Sequence, residues 1–256
     1  MVTYLLKKSY QRKNLKEIIF QDLWGGHGMF TTMWIFGKPA KILFFKKHIK
    51  NLIKSLKIYK LDKINLEKNI IKLLKLNIIK KKRYNHLLRV AINDKIISIS
   101  LRKRIKPKSK FNLKLIKYTR SDPEFKNLKY KVILKYLSKM NVSNSDIALC
   151  SNGKIFESGT SNILFIKKNK IFSPANKIYK GITYNFFKRK LTSIINKDIL
   201  IKSLYEFDEI ILIGSGKGVT SINSINDIGW KRKSLKFYKI LLKFYKTEIN
   251  KCSIYK

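Results

Sequence analysis

At 256 residues the chain is long enough for two modest domains or one large α/β unit with a full core. Its 58 Lys and Arg against 15 Asp and Glu give a formal net charge of +43, which at face value suggests nucleic acid or an anionic membrane as partner. The texture argues against a dedicated binder: only eight of the cations are Arg, and the lysines are interleaved everywhere with Ile, Leu and Asn instead of gathered on one face.

The charge therefore reads as compositional bias of the kind that AT-rich coding produces, with weak, salt-sensitive RNA binding expected and no specific nucleic-acid partner. Cys150 and Cys252 are too few for a disulfide framework, and with His27, His48 and His86 far apart no metal site is expected. The first eight residues lack the apolar core of a signal peptide, and no window of about 18 uncharged apolar residues exists, so the expected location is cytoplasmic, away from membrane.

In chain order, a short strand-like start leads to Phe45–Leu61, where Ile49, Leu52, Ile53 and Leu56 recur at helical spacing, and then to a second amphipathic helix from Leu66 to Ile79. The period then becomes two. Strands are expected at Leu87–Ile92, Lys95–Leu101 and Phe111–Tyr118. A first α/β domain over 1–118, a polar linker at 119–124 and a second domain over 125–256 follow from this pattern.

The second domain is expected to open with a helix at Tyr130–Met140. Strands come next at Ile147–Ser151, Gly153–Glu157, Ser161–Lys167 and Lys170–Phe172, with Ser151-Asn152-Gly153 as a tight-turn signal. A helix starts at Thr183, a strand runs over Glu209–Ile213, and a last amphipathic helix covers Leu235–Ile249.

Three features of this half can carry chemistry, one as an acid and two as anion cradles. Glu157 sits at a tight turn between two apolar strands; Gly181-Ile182-Thr183 opens a helix whose free N–H groups and Thr hydroxyl can hold an anion; Gly214-Ser215-Gly216-Lys217-Gly218 is a Gly-rich turn after a strand. Each has a plainer reading alone: a solvated Glu, an N-cap Thr, an ordinary turn. Together they supply a carboxylate for a ring nitrogen and a cradle for a phosphate.

The run Glu157-Ser158-Gly159-Thr160-Ser161-Asn162, with Gly181-Ile182-Thr183 behind it, resembles the fold-type IV (class IV) pyridoxal-phosphate (PLP) enzymes. That family includes branched-chain and D-amino-acid aminotransferases and aminodeoxychorismate lyase. The resemblance implies a two-domain α/β (α+β) fold, a smaller N-terminal domain and a larger C-terminal one with PLP in the cleft, and a homodimer. It also implies that Glu157 faces the pyridine nitrogen while Ile182, Thr183, Ser215 and Gly216 hold the phosphate.

The catalytic Lys cannot be chosen by composition. Phe125-Lys126-Asn127-Leu128-Lys129-Tyr130 resembles the lyase's Ile-Lys-His-Leu-Asn-Arg, which implies Lys126 as the Schiff-base residue and Cα-proton carrier, with Lys129 and Lys131 as fallbacks. Tyr130 is then placed to bond the cofactor's phenolic oxygen. Gly26-His27-Gly28-Met29-Phe30-Thr31-Thr32 resembles the family's Gly-Asp-Gly-Val-Phe-Glu-Thr, in a Phe-Thr-Thr version nearer the lyases, and puts Thr31 at the substrate. Arg89 falls where relatives place a basic residue near the substrate carboxylate; a surface Arg is the equal alternative.

Two departures stand out. The family's phosphate-gripping Arg falls on Asn51, leaving Lys50 or Lys54 as a point-charge substitute, and Tyr184 follows Gly-Ile-Thr where relatives often carry Arg. The branched-chain enzyme's Phe-Glu-Gly-Ile-Arg is absent, with Trp34 in the Arg position, whereas Gly218-Val219-Thr220-Ser221-Ile222 resembles the aminotransferases' Glu-Ile-Thr-Pro-Val. On balance the resemblance leans to aminodeoxychorismate lyase, in folate biosynthesis. The alternatives are an amino-acid aminotransferase, or a decayed, non-enzymatic basic homologue.

Overall fold

A computed structural model describes residues 3–255. They form two compact units: residues 3–104 with 125–131 and 251–255, and residues 105–124 with 132–250.

The first unit holds β1 (Tyr4–Gln11), β2 (Glu17–Ile18), β3 (Met29–Gly37), β4 (Lys41–Ile42), α1 (Phe45–Ile58), α2 (Leu66–Asn77), β5 (Tyr84–Ile92) and β6 (Ile96–Lys103). Its strands make one antiparallel sheet in the order β2-β1-β6-β5-β3-β4. Helix α1 packs on β3 and buries Ile49, Leu52 and Leu56 while Lys46, Lys47, Lys50 and Lys54 stay in water. Those apolar residues join Met33, Ile35, Leu88, Val90, Ile97 and Ile99 in one core. At about 1.5–3 kcal/mol for each fully buried Leu or Ile, that stripe holds α1 in place without a side-chain cap.

The second unit holds β7 (Asn112–Lys117), α3 (from the unit boundary, Lys131–Ser138), β8 (Ser145–Ser151), β9 (Lys154–Ser158), β10 (Asn162–Lys167), β11 (Lys170–Pro174), α4 (Ile182–Lys190), β12 (Ile195–Lys197), β13 (Ile199–Leu200), β14 (Glu209–Gly214), β15 (Gly218–Ser221), β16 (Ser224–Ile225), β17 (Trp230–Lys231) and α5 (Lys236–Asn250). Two sheets form, β12-β11-β10-β14-β15 and β13-β9-β8-β7-β16-β17. Period-two alternation sends Ile163, Phe165, Ile210 and Leu212 from one sheet, and Leu113, Ala148, Cys150 and Ile155 from the other, into a shared core. Strands β14 and β15 also carry α5, which buries Leu241 and Tyr245.

The β8–β9 hairpin turns at Asn152 (φ 50°) and Gly153 (φ 69°), the left-handed pair that Asn-Gly accepts. The sequence-based boundaries at 118 and 125 divide the chain differently from its hydrogen bonds. Strand β7 runs parallel to β8 from Asn112–Ser145 to Lys117–Cys150, so it belongs to the second unit. Residues 125–131 belong to the first, because Phe30 N donates to Lys126 O at 2.9 Å and Leu128 N to Gly28 O at 2.9 Å. The Gly-rich stretch after β14 is a hairpin to β15, pairing Gly214 with Gly218.

Candidate active site

In the first unit, the segment around Lys126 is stitched to the start of β3 by those bonds and by the Met29–Asn127 bridge. The separate Gly-His-Gly-Met-Phe-Thr-Thr and Phe-Lys-Asn-Leu-Lys-Tyr motifs thereby become one locus. Lys126 Nζ lies 4.9 Å from the Phe30 ring centroid. Phe30 packs edge-on to Trp24 and to Tyr130, with centroids 4.8 and 5.5 Å away. Lys126 is half-buried, whereas Lys129 and Lys131 are exposed.

Thr31 Oγ1 lies 2.8 Å from His48 Nδ1, and both residues are buried. Burial, reinforced by the positive charge of Lys126, pushes the His48 pKa down to about 3, so the imidazole is neutral at physiological pH. The sequence reading gave His48 no role. Only folding shows that the helical His meets the strand Thr.

Arg89, on β5, is 8% exposed. Its guanidinium stacks 4.4 Å from the Trp24 ring centroid and donates to both the backbone oxygen and the carboxylate of Asp22. Lys50 lies on the exposed face of α1, and Asn51 beside it is half-buried, its backbone oxygen accepting from Ser55 Oγ at 2.9 Å.

In the second unit, Glu157 is 6% exposed at the end of β9. Arg120 Nε donates to its Oε1 at 2.5 Å, and Tyr179 N donates to its Oε2 at 3.3 Å. The sequence reading did not single out Arg120, which lies in the segment taken as a linker. Asn162 then ties three pieces together. It donates from Nδ2 to Tyr179 O at 2.6 Å, and its Oδ1 accepts from Gly181 N at 3.1 Å. Its backbone pairs with Ile213 of β14. The N-terminus of α4 and the turn after β14 are thus both fastened to the start of β10.

Ile182 and Thr183 open α4, which Gly181 enters in extended conformation (φ −66°, ψ 168°) with no side-chain cap. Thr183 Oγ1 and Ser161 Oγ are buried and have no hydrogen-bond partner among the described residues. A Cβ on Gly214 would stand 2.9 Å from Ser161 Oγ, so the Gly-rich turn comes up against that hydroxyl. Ser215 and Gly216 are half-buried in the turn. Lys217 is committed elsewhere: Nζ donates to Val142 O at 3.1 Å and lies 3.9 Å from Asp146 Oδ2. Two orphaned hydroxyls beside an uncapped helix start are what a bound phosphate satisfies.

The architecture is that of the fold-type IV PLP enzymes. It matches the branched-chain aminotransferase of the archaeon Thermoproteus uzoniensis with norvaline at TM-score 0.72 and 17% identity, over 97% of this chain and 99% of that one. A protein assigned as 4-amino-4-deoxychorismate lyase from Legionella pneumophila matches at TM-score 0.71 and 17% identity, over 86% and 91%. A PLP-bound Mycobacterium tuberculosis protein described as a hypothetical aminotransferase matches at TM-score 0.72 and 11% identity, over 95% and 99%. No curated protein matches the sequence at a significant level.

The amino-transferase class IV profile matches residues 28–225, and the chain belongs to that family. It is a PLP-dependent enzyme, and the orphaned hydroxyls and uncapped helix fit that cofactor's phosphate. Among the described residues, no helix is long and apolar enough to cross a membrane.

Proposed function

We propose that the chain is an aminodeoxychorismate lyase, releasing pyruvate from 4-amino-4-deoxychorismate and leaving 4-aminobenzoate, and that it serves folate biosynthesis in the cytoplasm as a homodimer. The observation that carries the lyase reading is the buried Thr31–His48 pair in the Phe30-Thr31-Thr32 strand. Where the branched-chain enzymes' Phe-Glu-Gly-Ile-Arg puts a carboxylate, this strand puts a hydroxyl bound to a neutral imidazole.

PLP, when bound, withdraws electrons from the substrate's Cα. The protein does the rest. Lys126 would hold the cofactor through its Nζ and, when that amine is free, would carry the proton taken from the substrate's Cα. Glu157, oriented by Arg120, stabilises positive charge at the pyridine nitrogen. Ile182, Thr183, Ser215 and Gly216 hold the phosphate, and Tyr130 bonds the phenolic oxygen. Lys50 contributes charge in place of the arginine that Asn51 lacks. Arg89 takes a substrate carboxylate in exchange for Asp22, whose side chain is half exposed. Loss of the forked Arg contact at Asn51 weakens PLP retention by roughly 1.5–3 kcal/mol.

The second reading, an amino-acid aminotransferase, is favoured by Gly218-Val219-Thr220-Ser221 on β15. A substrate panel separates the two. Pyruvate release from aminodeoxychorismate without an amino acceptor supports the lyase; amino transfer that depends on 2-oxoglutarate overturns it. Protein that gives no visible band with PLP, and no borohydride-fixed label on Lys126, supports a decayed homologue instead.

A further inference from the structure

Asp146, near the start of β8, is fully buried and has no part in the roles above. Its Oδ2 accepts from Thr160 Oγ1 at 2.7 Å and from Ser158 Oγ at 3.4 Å, and its Oδ1 accepts from Ile147 N at 2.8 Å. Lys217 Nζ lies 3.9 Å from the same Oδ2, with its charge also over the Phe111 ring at 4.5 Å. Gly159 N donates to Ile147 O at 2.9 Å, and the approach is so close that a Cβ at 159 would stand 2.7 Å from Ile147 Cγ1 and 3.1 Å from Asp146 Oδ1.

One carboxylate is therefore attached to two turns. The first, 158–161, has Glu157 on one side and Asn162 on the other, and Asn162 in turn holds Gly181 at the head of α4. The second is the Gly-rich turn, whose Lys217 ammonium is drawn to the same oxygen by charge at 3.9 Å while it donates to Val142 O. Burial pushes the Asp146 carboxyl up, opposed by Lys217 and the three hydrogen bonds. A buried carboxylate is destabilising unless it is fully partnered, so its partners are held tightly in return.

We propose that Asp146 is a positioning residue for the cofactor's phosphate: it locks the 158–161 and 214–218 turns to each other, so the phosphate donors are set before the cofactor arrives. This rests on the PLP reading. The mechanism is preorganisation, in which ordering done during folding is not charged against binding.

The experiment compares wild type, Asp146→Asn and Thr160→Val by absorbance titration with PLP and with pyridoxal, which lacks the phosphate. Amide hydrogen exchange of the 158–162 and 214–218 segments is followed in the apoproteins. The expected result is a preference for PLP over pyridoxal that falls about tenfold in Asp146→Asn, and less in Thr160→Val, with pyridoxal affinity kept within about twofold. Exchange should quicken in both segments together.

Equal loss for PLP and pyridoxal, or an unchanged preference, overturns the inference. So does faster exchange in one turn only. If Asp146→Asn does not fold, Thr160→Val decides alone. Wild-type protein that fails to bind PLP overturns the functional reading and the phosphate role with it; wild type that binds while both variants keep its preference overturns only the role of Asp146.

Discussion

Arg120 Nε donates to Glu157 Oε1 at 2.5 Å, and both side chains are more than nine-tenths buried. Arg120 Nη2 also donates to Pro123 O at 2.5 Å, so the guanidinium is fixed at both ends. An uncompensated carboxylate in that environment costs about 3–5 kcal/mol. Arg120→Met should therefore lower unfolding free energy by that amount, and Arg120→Met with Glu157→Gln should lose much less than the sum of the two. Urea unfolding of the double-mutant cycle checks this; purely additive losses would show that the pair does not act as a unit.

His48 gives the fold a pH dependence. Its pKa is about 3 in the folded protein against 6.5 for the free side chain, so between those values the unfolded chain binds a proton that the native one does not. Stability from this residue is whole above about pH 6.5 and declines as pH falls towards 3, with a slope approaching about 1.4 kcal/mol per unit. The stability difference between wild type and His48→Asn should shrink steadily from pH 7 to pH 4 in guanidinium titrations. A pH-independent difference would contradict the buried neutral imidazole.

Thr183 separates stability from cofactor binding. Its hydroxyl is buried and unsatisfied among the described residues, so Thr183→Val removes a poorly placed polar group at constant shape. The apoprotein should be as stable as wild type or more stable, by up to about 1 kcal/mol, while PLP affinity falls roughly tenfold. Thermal melts without cofactor and absorbance titration with it read the two effects. A destabilised apoprotein would mean that the hydroxyl has a partner of its own.

Glu209 anchors the last helix. Its buried carboxylate accepts from Phe237 N and Tyr238 N at 2.9 Å each and from Ser234 Oγ at 3.0 Å, satisfying the free N–H groups of the first turn of α5. Glu209→Ala should cost about 1–3 kcal/mol and speed amide exchange in the first turn of α5 ahead of the rest of the helix. Uniform exchange along α5 would show that its packing on β14 and β15, not the cap, holds the end.

What the sequence determined by itself is local. Helical periodicity placed α1, α2 and α5 within a few residues of their observed ends, and period-two alternation placed most strands from β5 to β14. Glu157, Asn162 and the Gly181–Thr183 helix start could be recognised because one strand–turn–strand–helix run encodes them together. The nine-residue β3 was not assigned as a strand, since Met29-Phe30-Thr31-Thr32-Met33 is buried nearly throughout and shows no polar alternation.

What only the tertiary structure decided is which distant residues meet. Parallel pairing of β7 with β8 moved 112–117 into the second unit, and pairing of 126–128 with 28–30 moved Lys126 into the first. Arg120 reaches Glu157 across 37 residues, His48 reaches Thr31 from a helix to a strand, and Asp146 reaches Lys217 across 71 residues. None of these pairs leaves a periodic or spacing signal, because a buried charge or hydrogen bond is specified by sheet register and helix packing. Local pattern writes the elements; the register between them selects the partners.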